Sequence, residues 1–190
     1  MEEWKEGFRW NLLAREWKIA AVGFPVILPL LHGNFGLGPE FFSAMLFSGF
    51  LLFLSALDIR YGMIFDRFLF PMGISGLLLD LSCGWWRMAE GLAAAFLLGG
   101  LLLLIRWVSH GGLGGGDVKF GWVLGLWLGW EAGLMALMLA FFLGSLFGIG
   151  VFFYRRHARM ELPFGPFLSV GAFFAMLYGE RIMTWYLEMI

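Results

Sequence analysis

The chain has 190 residues, 61% of them hydrophobic and 14% charged, and a mean hydropathy of +0.81, which excludes an ordinary soluble domain and makes a bilayer its solvent. A net charge of −1 argues neither for a nucleic-acid partner nor for an acidic substrate. The single cysteine, Cys83, excludes an intrachain disulfide framework and a multi-cysteine metal site.

Residues 1–18 set Glu2, Glu3, Glu6 and Glu16 among Lys5, Arg9, Arg15 and Lys18 before any apolar run, so the opening does not read as a cleavable signal. It reads as an interfacial amphipathic helix offering Trp4, Phe8, Trp10 and Trp17 to the membrane surface. Apolar segments at about 19–32, 40–58, 67–83, 87–107, 117–130, 132–153 and 164–180 then predict an all-α, polytopic helix bundle with about seven transmembrane helices in one domain, 1–190. The first of these is short and carries Pro25 and Pro29. The fifth covers about 14 residues, roughly 21 Å at helical rise, below the ~20 residues that usually cross. With both counted as crossing, eleven of the thirteen basic residues fall on one side, leaving Arg87 and Arg181 on the other. The positive-inside rule then places the N-terminus in the cytoplasm and the C-terminus outside.

The anomaly in this apolar chain is residues 111–120, where Asp117 follows Gly111, Gly112, Gly114, Gly115 and Gly116 and opens an apolar run. Gly121, Gly125 and Gly129 recur at i+4 from Asp117, so the acid shares one helical face with small residues that let another helix approach closely. In the second span Ala44, Ser48, Leu51, Ser55 and Asp58 form a comparable stripe. On the predicted topology both aspartates lie at the cytoplasmic edge. Two carboxylates brought together can share a proton, one acting as base on a water while the other donates to a carbonyl oxygen, because like charges cannot both ionise cheaply. The alternative is that each acid caps a helix or sits in headgroup water. Asp58, at the C-terminal end of its helix, is poorly explained by capping; Asp117 suits an N-terminal cap.

Three motifs together resemble the type IV prepilin peptidases, a branch of the G-x-G-D membrane aspartic proteases. Gly114-Gly115-Gly116-Asp117-Val118-Lys119 matches their G-x-G-D-x-K block, Leu57-Asp58-Ile59-Arg60 through Ile64-Phe65-Asp66 resembles their first aspartate motif, and Leu162-Pro163-Phe164-Gly165-Pro166-Phe167 is similar to their P-F-G-P segment. The resemblance implies a peptidase core over about 40–180, six helices preceded by an N-terminal one, in the bacterial cytoplasmic membrane. It implies Asp58 and Asp117 as the catalytic pair, supported by Gly114, Gly116, Lys119, Gly121, Gly125, Pro163, Gly165 and Pro166. The reaction implied is hydrolysis after the short basic leader of prepilin-like or pseudopilin-like substrates at the cytoplasmic face, with no metal or organic cofactor. Phe65 stands where the family usually has proline. Larger members carry a paired-cysteine insert and also N-methylate the new N-terminus; with one cysteine and no such insert, this chain is expected to act as a peptidase only.

Other candidates have plainer accounts. Lys119 lies about 200° around the helix from Asp117, which favours anchoring to anionic lipid over a direct partnership. Asp66 reads as the cap of the third span. Arg155, Arg156, His157 and Arg159 set orientation, although they adjoin the P-F-G-P segment and so could border substrate entry. His32, His110 and His157 fall in three separate loops without metal-ligand spacing, and Ser145, between Gly144 and Gly148, has no intramembrane histidine as base. Competing functions are a presenilin-like protease, whose Tyr-Asp and P-A-L signatures are missing here, and a non-catalytic transporter or scaffold using the acids for ion binding. The expected partners are the substrate and membrane lipids, with no nucleic acid; the oligomeric state is left open.

Overall fold

The computed structural model describes residues 10–155 and 163–189. Among them the chain is helical throughout: α1 Trp10–Phe35, α2 Pro39–Tyr61, α3 Asp66–Cys83, α4 Trp85–Val108, α5 Gly115–Arg155 and α6 Gly165–Glu188. α2, α4 and the stretch Gly115–Phe153 are long and apolar enough to cross a membrane. Residues 1–9 of the expected interfacial segment lie outside the described residues. From Trp10 a single helix runs through the boundary read at 18/19, with Pro25 and Pro29 inside it. His32 accordingly belongs to the last turn of α1 and not to a loop.

The ends of the helices follow local chemistry. Pro39 opens α2, where its missing N–H costs nothing, and Gly62 closes it at φ 63° with its N–H on the Asp58 carbonyl at 2.8 Å. That cap places Asp58 in the final turn of α2. Gly84, at φ 116°, is the whole connection between α3 and α4, a conformation that glycine adopts without the strain a Cβ would bring.

Within α5 the backbone leaves helical geometry at Gly129, with φ 72° and ψ −174°, and the chain doubles back. In a straight helix residues 121 and 133 would stand about 18 Å apart. Yet a Cβ on Gly121 would lie 3.5 Å from the Leu98 carbonyl oxygen, and one on Gly133 would lie 2.3 Å from Leu98 Cδ1. Both limbs therefore flank α4 at one level. Gly129 is the turn between them, not a fourth member of the packing stripe.

The stripe itself packs, but against α4 and not against the helix that carries Asp58. A Cβ on Gly121 would lie 2.5 Å from Leu102 Cδ1, and one on Gly125 would lie 2.4 Å from the Ala95 Cα. The second limb runs antiparallel to α6 on the same principle, with Gly171 over the Ala136 carbonyl and Gly179 over Ala132. Trp127 ties α2 and α3 to the first limb: its indole N–H donates to the Met72 carbonyl at 2.9 Å and its ring stacks on Phe47. Lipid tails are as apolar as leucine, so this core is ordered by close packing and a few directed hydrogen bonds more than by escape from water.

Candidate active site

Asp58 lies in the final turn of α2 and is 3% exposed; Asp117 is the third residue of α5 and 8% exposed. The two carboxylates are close enough for their charges to interact. The Gly165 N–H, at the start of α6, donates to Asp58 Oδ2 at 2.8 Å, and the Asp117 carboxylate lies against Gly114, its Oδ2 2.7 Å from where a Cβ there would be. The positive end of α6 thus faces Asp58, offsetting its unfavourable place at the C-terminal end of α2. Asp117, three residues after Gly114, turns its carboxylate back towards that residue and remains near enough to Asp58 for their charges to interact. Among the described residues, neither aspartate forms a salt bridge.

The glycines are explained one by one by what stands where their Cβ would be. At Gly114 it is the Asp117 carboxylate (2.7 Å), at Gly115 the Arg106 guanidinium (2.9 Å), and at Gly116 the side chain of Ile64 (2.9 Å). On the opposite wall a Cβ at Gly165 would meet Asp58 Oδ2 at 2.6 Å and Ile64 Cδ1 at 3.1 Å. Ile64, buried in the short link between α2 and α3, is thus the common neighbour of both motifs. Pro163 and Pro166 bracket the entry to α6, and Pro166, lacking an N–H, sits in the first turn where none is required. Gly144 faces Phe164 and Phe167 while Ser145 is exposed, which fits a packing role for the Gly144 face.

Asp66 does not cap α3. Phe65 occupies the cap position without a side-chain hydrogen bond, and the Asp66 carboxylate pairs with Lys119. Lys119 therefore ties the first turn of α5 to the first turn of α3, which suits its position turned away from Asp117. Both groups are mostly exposed, so the pair contributes little stability by itself, about 0–1 kcal/mol. Arg156, His157 and Arg159 lie outside the described residues.

Three features escaped the sequence reading: Ile64 as the shared wall, Arg106 as a contact of the glycine loop, and Asp80. Asp80 is 5% exposed near the far end of α3, with Oδ1 at 3.3 Å from Arg87 Nε. Its signal was present as an acid within an apolar run, followed by a basic residue just beyond Gly84.

Residues 45–149, which carry both aspartates, match the Type IV leader peptidase family. The chain belongs to that family. Among curated relatives named "Prepilin leader peptidase/N-methyltransferase", it is 33% identical over 156 residues to one from Aeromonas salmonicida strain A449, covering 78% of this chain and 53% of the relative. It is 33% identical over 160 residues to one from Bacillus subtilis strain 168, covering 82% and 63%, and 35% identical over 140 residues to one from Burkholderia pseudomallei strain 1026b, covering 68% and 44%. The chain thus spans about half the length of these family members. No solved structure matches it.

Proposed function

We propose that the chain is a membrane aspartic endopeptidase that removes the short leader from type IV prepilin-like proteins at the cytoplasmic face of a bacterial inner membrane. The observation that carries this reading is the convergence of two buried aspartates, Asp58 held by the Gly165 N–H and Asp117 packed against Gly114, with neither in a salt bridge among the described residues. In the proposed reaction one carboxylate takes a proton from a water, whose oxygen attacks the scissile carbonyl carbon, while the other carboxyl donates its proton to the carbonyl oxygen. The tetrahedral intermediate then collapses: the C–N bond breaks, the departing amine takes a proton from the carboxyl that accepted one, and a hydroxyl of the intermediate returns its proton to the carboxylate that donated one as the C=O re-forms. This is a general acid–base role of the kind that contributes about 10²–10⁴-fold to rate. The domain is 1–190 with its core at 40–180, the two limbs of α5 counted separately give seven spans, and the N-terminus is cytoplasmic.

Incubating the purified chain with a prepilin and sequencing the product tests the reading directly. A new N-terminus directly after the leader is expected, and an uncut substrate overturns it. The relatives' names carry a second activity, N-methyl transfer; for this chain we propose cleavage alone. Product mass after addition of S-adenosylmethionine decides, since one methyl group adds about 14 Da. Cys83, exposed at the end of α3 away from the two aspartates, reports orientation. Labelling by an impermeant thiol reagent in intact spheroplasts is expected, and labelling confined to inside-out vesicles overturns the assignment of sides.

A further inference from the structure

Arg106 stands in the last turn of α4, eleven residues before Asp117 in the sequence. Its Nη1 donates to the Leu113 carbonyl at 3.1 Å. That nitrogen and its guanidinium carbon lie 2.9 and 3.5 Å from where a Cβ on residue 115 would be, so the guanidinium lies along a backbone that only glycine leaves open. It is also near enough to Asp117 for their charges to interact, although the two form no salt bridge.

The Leu113 carbonyl and the Gly114 N–H belong to one peptide group. A peptide is planar, and in the trans form its C=O and N–H point in opposite directions; a donor that fixes the oxygen therefore fixes the direction of the hydrogen. Arg106 holds the oxygen, and on the other side of the same peptide Gly114 lies against the Asp117 carboxylate, whose Oδ2 is 2.7 Å from where a Cβ on Gly114 would be.

We propose that Arg106 is a positioning residue for Asp117, acting through the Leu113–Gly114 peptide that it holds in one orientation. The inference rests on the reading of Asp117 as a reacting group. Gly115 has its own part in it: without a side chain, it lets the guanidinium lie against the loop. Lysine does not replace arginine fully, because a point charge on a flexible stem lacks the planar fork that fits against a peptide.

The test is steady-state cleavage of a prepilin by the full chain carrying Arg106→Gln, Arg106→Lys, Gly115→Ala or Asp117→Asn, with size-exclusion profiles in detergent as a check on folding. Arg106→Gln is expected to lower kcat by about 10- to 100-fold, the scale of a misplaced reacting group, with KM changed less than about threefold. Arg106→Lys should recover part of the loss. Gly115→Ala should lower kcat in the wild-type background but add little to Arg106→Gln, because both disturb one contact. Wild-type kcat in Arg106→Gln beside an inactive Asp117→Asn overturns the inference and leaves the aspartate reading standing. An active Asp117→Asn overturns that reading itself. If Arg106→Gln fails to fold, Gly115→Ala decides, and wild-type kcat there overturns the proposal. A matching rise in KM and loss of kcat in every variant, with no gain from lysine, also overturns it in favour of a purely structural contact.

Discussion

The bundle buries carboxylates at both ends and treats them differently. At the far end Asp80 meets a cation, Arg87, which itself pairs with Glu90. At the other end Asp58 accepts from the Gly165 N–H and Asp117 lies against Gly114, and Arg106, which donates to the Leu113 carbonyl, makes no salt bridge with either. A buried charge is costly unless it is paired and hydrogen-bonded. Asp80 meets that rule at one oxygen, Oδ1, which faces Arg87, while its buried Oδ2 has no hydrogen-bond partner among the described residues. Asp58 and Asp117 have no such cation partner among the described residues, which suits the acid–base role proposed for them. The glycines around the pair let backbone approach the carboxylates directly, with Gly114 against Asp117 and Gly165 against Asp58.

The contrast can be broken most sharply at the carboxylates. Asp58→Asn and Asp117→Asn are each expected to lower cleavage by about 10²–10⁴-fold, and the double variant to lose little more, because groups that act as a unit are non-additive. Fully additive losses measured on the same prepilin would mean that the two acids work separately. Next in size is Gly165→Ala, where the new methyl would stand 2.6 Å from Asp58 Oδ2. A kcat lowered by about 10- to 100-fold is expected from such a displacement. Gly100→Ala in α4 has nothing within 4 Å of the new Cβ and should keep wild-type kcat while gaining up to about 1 kcal/mol in stability.

At the far end the prediction is reversed, with stability lost and chemistry kept. Arg87→Met leaves Asp80 buried without its partner and is expected to cost about 1–3 kcal/mol, read as a lower melting temperature in detergent, with kcat of the folded protein unchanged. A catalytic defect there would erase the distinction between the two ends. The smallest effect is expected at the exposed pair of Asp66 and Lys119. Lys119→Met should change kcat by less than about fivefold and stability by about 0–1 kcal/mol, and the swap Asp66→Lys with Lys119→Asp should restore what is lost.

The sequence by itself determined the solvent, the helical class, the two acids and the glycine stripe, because each is written in composition or in a 3.6-residue period that any helix must obey. The break between the two limbs was legible to within a few residues for the same reason: an acid, Glu131, and a glycine interrupt the apolar run. Only the tertiary structure decided which helix the stripe meets, since Gly121 and Gly125 announce that something comes close but carry no mark that it is α4 and not α2. It likewise decided that Gly114, Gly115 and Gly116 make room for a carboxylate, a guanidinium and Ile64 in turn, and that Asp66 turns to Lys119 instead of capping its own helix. Periodicity is a property of one segment, whereas a partner is chosen by the loops that bring distant segments to one place.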